Sequence, residues 1–208
     1  FIFFQLVVNV TALLLVLGGS LIGTELPLTI TQMLWVNLIM DTFAAMALAS
    51  LPPEREVMRE KPRKQTDFII TRGMAWAISA VGLLFFALMF GILYYFERIA
   101  GVSPEELTIF FTIFVMLQWW NMFNAKSLGS SRSTFHKFRS DKGLQFVLFV
   151  ILAGQWLIVE FGGKMFRTVP LDIETWAMIV AGTSPVMLVG EAIRAVRRRI
   201  GKTKETKN

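Results

Sequence analysis

Six apolar runs, each long enough to cross a bilayer, constrain this chain more than any other feature. They cover residues 1–22, 28–51, 73–96, 107–125, 144–161 and 176–195. A hydrocarbon core about 30 Å thick is crossed by about 20 consecutive apolar residues in a helix. Lipid offers no water to an open backbone, so each run must satisfy its own amides and carbonyls as a helix. The expected fold class is all-α: a polytopic membrane protein built as a bundle of six transmembrane helices. Composition agrees, with 54% hydrophobic residues, 19 Phe, 11 Met and 6 Trp in 208 residues and a mean hydropathy of +0.57. Pro52-Pro53 ends the second run because neither residue continues a helix, and Gly162-Gly163 ends the fifth. Thr183, Ser184, Pro185, Glu191 and Arg194 interrupt the sixth. Residues 1–199 are read as one membrane domain and residues 200–208 as a basic cytoplasmic tail.

The connections alternate in charge. Segment 52–72 holds six Lys or Arg, segment 126–142 holds five, and the tail from Arg194 holds seven. The opposite side has only Arg98, Lys164 and Arg167. The positive-inside rule makes the first group cytoplasmic, and with it the C-terminus and the start of the first span. The net charge of +6 is thus membrane topology rather than a nucleic-acid footprint. With no Cys, a disulfide framework and a thiolate metal site are both excluded. The chain starts at Phe1 inside an apolar run, without the charged segment and small-residue cleavage site of a signal peptide. It reads as the later part of a longer protein. The tail, IRAVRRRIGKTKETKN, reads as a solvated anchor on an anionic inner leaflet. A calmodulin-type helix is the alternative, but the tail is short and lacks spaced aromatic anchors.

Inside the second run lies WVNLIMDT, which carries Asn37 and Asp41 in otherwise apolar surroundings. At about 1.5 Å per residue, Asp41 is about 16 Å from Pro52, near the middle of the hydrocarbon core. An isolated Asp at that depth costs roughly 2.5–3.5 kcal/mol on insertion scales, and ionisable residues there are functional by default. Asn37 is one α-helical turn away, so the spacing predicts that both residues face one space between helices. Asn9 lies about 20 Å from the outer end of the first run, and Gln118 about 12 Å from the inner end of the fourth. Asn121 and Asn124 continue the Gln118 face at spacing three, and they read as interhelical hydrogen-bonding groups. Glu160 and Glu191 read as interfacial, and His136, the only histidine, receives no role. The donor set of Asp41, Asn37, Asn9 and Gln118 is all oxygen. It disfavours soft metals and suits a hard cation. Calcium, sodium, magnesium and protons all remain open on chemistry alone.

QMLWVNLIMDTFAAMALASLPP resembles the sixth transmembrane helix of P-type calcium ATPases, in the plasma-membrane, calmodulin-regulated branch. FQLVVNVTA resembles the fifth helix, FVMLQWWNMFNAKS the eighth, and VEFGGKMF the ninth with its following loop. The matches fall in order along nearly the whole chain. The resemblance implies helices five to ten of a ten-helix pump, working by alternating access. It implies that Asp41 and Asn37 ligate transported calcium and that Asn9 matches a polar site residue. The two-calcium pumps of the family carry glutamates where Ala12 and Gln118 stand here, and a threonine where Met40 stands. Their absence implies one calcium per cycle. No DKTGT phosphorylation motif and no PEGLP stretch occur in the sequence. The resemblance therefore implies that ATP and Mg2+ act only in a full-length protein, that the partner of this chain is the N-terminal part of the pump, helices one to four with the cytoplasmic domains, and that the remaining site carboxylate lies in the PEGLP stretch of helix four. This chain alone is expected to be inactive in hydrolysis and to bind calcium weakly. Two other readings stay open. One is a P-type pump for another cation, such as sodium, manganese or protons. The other is a non-enzymatic six-helix scaffold. The halves show no inverted repeat, which argues against a secondary transporter.

Overall fold

The structure is a computed structural model that describes residues 1–23, 27–51, 68–128, 133–135, 138–192 and 195. Its regular elements among these residues are all helical. Helix α1 covers Ile2–Ile22. The second span is composite: α2, Ile30–Leu34, leads into a π-helical turn at Trp35–Met40 and then into α3, Asp41–Ala49. Helix α4, Arg72–Tyr95, passes into a second π turn at Phe96–Ala100. Helix α5 covers Pro104–Lys126 and α6 Lys142–Phe161. The short α7, Gly163–Phe166, precedes α8, Ile173–Thr183. Among the described residues, six helical stretches are long and apolar enough to cross a membrane: Ile2–Ile22, Ile30–Ala49, Arg72–Ile99, Pro104–Lys126, Lys142–Phe161 and Ile173–Ala192. They are the six expected runs, displaced by three residues at most. The tail 200–208, His136 and most of segment 52–72 lie outside the described residues.

Local chemistry sets where the helices begin. Thr29 and Gln32 form a capping box, each side chain bonding the other's backbone N–H. Ser103 and Glu106 form a second, with Pro104 at the first helical position, where its missing N–H costs nothing. Thr71 caps α4 by accepting from the Met74 N–H. Asp172 caps α8 by accepting from the Thr175 N–H at 3.0 Å; hydrogen bonding from the Thr175 side chain, with this backbone bond, holds its carboxyl below the usual carboxylate range. Gly23 closes α1 with φ of +75°, a left-handed conformation that glycine adopts without strain.

Contacts at the helix ends agree with the alternation of sides. On the charge-poor side, Gln32 donates to the Phe166 carbonyl and Thr31 to that of Met165. On the basic side, Ser50 lies near Gly143, and Lys126 pairs with Asp141 at 2.5 Å while lying over the Phe138 ring.

Helices α1 and α4 pack closely. Gly18 meets Phe86 and Phe90, and Gly82 meets Val10. Small residues are the usual means of bringing membrane helices together. Helix α5 is central and touches α1, α3, α4, α6 and α8. Phe110, Phe111, Phe114, Val115, Met116, Leu117 and Met122 on it are fully enclosed. That enclosure explains how α5 also carries the buried polar residues Thr108, Thr112, Gln118 and Asn121: surrounded by protein, they are shielded from lipid. By contrast, α4 leaves Trp76, Leu83, Leu84 and Leu88 exposed, as a lipid-facing helix would.

Candidate cation site

Asp41 is the first residue of α3 and is 2% exposed. Among the described residues, its two carboxyl oxygens have no hydrogen-bond partner. Gln118 and Asn121, one turn apart on α5, are 0% exposed, and among the described residues neither amide has a partner on its oxygen or nitrogen. Helices α3 and α5 are in contact. Both spans run from the charge-poor side to the basic side. Asp41 lies eight residues before Ala49 and Gln118 eight before Lys126, so both stand about 12 Å from the basic end of their helix. An unpaired buried polar group costs about 1–3 kcal/mol, and more when charged. These three residues lie on two touching helices, and among the described residues the protein's own hydrogen bonds leave their side chains unpaired.

The donor chemistry is narrow. Among the described residues, no three His, Cys, Asp or Glu side chains cluster as metal ligands. What α3 and α5 offer is one carboxylate with two amides, a hard oxygen set that suits calcium, sodium or magnesium rather than zinc or copper.

The four residues singled out in the sequence divide in two. Asp41 and Gln118 are buried, whereas Asn37 and Asn9 are exposed on the surface of this chain. The expectation that Asn37 and Asp41 share one face assumed an unbroken α-helix. A π turn spans the segment instead: the Asp41 N–H donates to the Val36 carbonyl, five residues back instead of four, and positions four apart still fall near one face of so wide a turn. A wide turn of this kind is a recurrent feature of functional sites.

The two amide atoms of Asn121, unpartnered among the described residues, do not fit the interhelical bonding expected from its spacing. Asn124 does fit it, since its Nδ2 donates to the Val186 carbonyl at 2.9 Å. Glu191 is a loop anchor, accepting from the Thr134 N–H at 3.0 Å. Sequence reasoning also missed a buried polar chain. Trp35 Nε1 donates to Gln155 Oε1 at 3.1 Å, and Gln155 Nε2 to Thr112 Oγ1 at 3.4 Å. Thr112 in turn donates to the Thr108 carbonyl, and Thr108 Oγ1 accepts from the Val169 N–H. A Gln inside the apolar fifth run was the available signal.

Six spans packed as helices around a buried carboxyl and buried amides define a polytopic helical membrane domain. The family model described as cation transporting ATPase, C-terminus, matches residues 25–196, and the chain belongs to that family. It is 37% identical over 191 residues to plasma membrane calcium-transporting ATPase 2 of Oreochromis mossambicus, covering 86% of this chain and 17% of that protein. It is 36% identical over 187 residues to plasma membrane calcium-transporting ATPase 3 of Homo sapiens, covering 85% of this chain and 15% of the relative. With plasma membrane calcium-transporting ATPase mca-1 of Caenorhabditis elegans the identity is 30% over 207 residues, 94% of this chain and 16% of the relative. The chain thus spans about one sixth of the length of these curated relatives.

Proposed function

We propose that this chain is the membrane portion, helices five to ten, of an ATP-driven pump that exports Ca2+ from the cytoplasm across the plasma membrane. The observation that carries the reading is the Asp41 carboxyl, buried without a protein partner next to a helix bearing two unpartnered amides. Such an arrangement is costly unless an ion or its water offsets it. Family membership supports the reading, as do relatives whose names are calcium-transporting ATPases.

In this reading Asp41 is the main carboxylate toward Ca2+. Gln118 contributes an amide, and Asn121 joins it. Asn37 and Asn9 are exposed here; they face helices of the remaining part of the pump, which closes the cation shell around one Ca2+ per cycle. ATP and Mg2+ act in that remaining part. The basic loops and C-terminus are cytoplasmic, and the tail rests on the inner leaflet rather than serving calmodulin.

The test is ATP-driven uptake of radioactive calcium by inside-out vesicles carrying the full-length protein. Uptake should be calcium-selective, and Asp41→Asn should abolish it together with calcium-dependent phosphorylation. Uptake of sodium or manganese instead would reassign the ion. Calcium-dependent phosphorylation undiminished in Asp41→Asn would remove Asp41 from the site.

A further inference from the structure

The π turn that opens at Trp35 is clasped to α6. The Trp35 indole is 8% exposed and its N–H is bonded to Gln155, which is fully buried. Gly154 makes room for the ring: a Cβ there would overlap Trp35 Cη2 and lie 2.9 Å from Cζ2. Gln155 is itself held from the far side by Thr112 on α5. Two adjacent residues of α6 thus hold the ring, one by shape and one by a hydrogen bond.

A π turn accommodates one more residue than the α turn it replaces. Removing it would rotate everything downstream by roughly 100° relative to Trp35. With Trp35 pinned, that rotation would carry Asp41 out of its buried position. With Trp35 free, the turn loses the contact at its first residue that offsets its poorer geometry.

We propose that Trp35, Gly154 and Gln155 form a positioning clasp that sets the register of the second span and so aims Asp41 at the transported ion. The clasp touches no ion itself. It acts as an outer support, and loss of such supports typically weakens metal sites about 10–100-fold. The inference rests on Asp41 being the cation's carboxylate.

The experiment uses the full-length pump and reads two quantities: the calcium concentration for half-maximal phosphorylation from ATP, and phosphorylation from inorganic phosphate without calcium. Gln155→Met and Trp35→Phe should each raise the half-maximal calcium about tenfold and leave phosphorylation from phosphate intact. The double variant should do no more than either single one, because both remove the same bond. Gly154→Ala should produce the same shift. Thr183→Val, which removes the Trp120 Nε1 bond to α8, is the control; it should lower thermal stability without moving the calcium dependence. Wild-type calcium dependence in Trp35→Phe and Gln155→Met, alongside loss of response in Asp41→Asn, overturns the clasp and leaves the site standing. So does an additive double variant, or an equal shift in Thr183→Val. A normal calcium response in Asp41→Asn overturns the site reading and the clasp with it.

Discussion

Asp41 and Asn37, four residues apart on one membrane span, occupy opposite environments: the carboxyl is buried and the amide is exposed. A π turn runs through the segment that joins them. A trade-off between stability and ion response follows for Asp41. Its carboxyl has no hydrogen-bond partner, so replacing it with a neutral group of the same shape relieves the fold while removing the ion's partner. In the full-length protein without calcium, Asp41→Asn should melt at or above the wild-type temperature. Calcium should raise the wild-type melting temperature through binding to the native state and leave that of the variant unchanged. A variant that melts lower without calcium would mean that the carboxyl is structurally bonded.

Asn37→Ala should behave differently. An exposed amide contributes little to the packing of this chain, so stability should change by less than about 0.5 kcal/mol. If Asn37 completes the shell with the rest of the pump, the half-maximal calcium for phosphorylation should still rise about tenfold, which is about 1.4 kcal/mol of lost binding. Paired thermal melts and calcium titrations of phosphorylation check both halves.

The α1–α4 contact gives a packing prediction. A Cβ on Gly18 would lie 2.9 Å from Phe90 Cε2, and one on Gly82 would lie 3.0 Å from Val10 Cγ1. Leucine at either position should destabilise by about 1–3 kcal/mol through overpacking. Gly91→Ala is the internal comparison, since its Cβ would meet nothing within 4 Å. It should be neutral or stabilising by up to about 1 kcal/mol. Thermal unfolding of the purified protein in detergent distinguishes the three.

How much of this was legible in the sequence depended on which residues have to obey the solvent. The six spans were readable because hydrocarbon requires long apolar helices whatever their neighbours. Their ends moved slightly because Lys142 and Pro104 can occupy a first turn at the interface, where charge and a missing N–H are tolerated. The π turn at Trp35–Met40 was not readable. An almost wholly apolar segment carries no periodicity to betray a change of phase, and α and π turns both bond the backbone internally. Asn121 and Asn124 were indistinguishable as well, being the same residue type at adjacent turns. The Val186 carbonyl opposite Asn124 separates them, and that contact comes from a helix more than 60 residues away.

The cap on α8 gives a pH dependence. Hydrogen bonds from the Thr175 side chain and then its backbone N–H hold the Asp172 carboxyl below its ordinary range. A depressed folded value stabilises above the unfolded value, and the stabilisation disappears as the pH falls through the folded one. Protection of the first α8 turn in hydrogen exchange, corrected for intrinsic rates, should therefore be constant around neutrality and fall in acid. Asp172→Ala should show the low protection at every pH.

The amides of α5 allow the sharpest separation of structural from functional polarity. Gln118 and Asn121 are fully buried and unpartnered, whereas Asn124 makes an interhelical bond. Replacing an unpaired buried amide by a hydrocarbon of similar size removes a penalty of about 1–3 kcal/mol. Gln118→Met and Asn121→Leu should therefore leave the calcium-free protein as stable as wild type or more so. Both should weaken the calcium dependence of phosphorylation, because the ion loses an oxygen or the water that oxygen holds. Asn124→Leu breaks a made bond and should cost about 1 kcal/mol or more with calcium dependence unchanged. The three variants thus invert the usual expectation that polar-to-apolar changes at one helix face act alike. Equal destabilisation across all three would show that Gln118 and Asn121 are bonded within the protein, and would leave Asp41 as the sole polar group of the interior site.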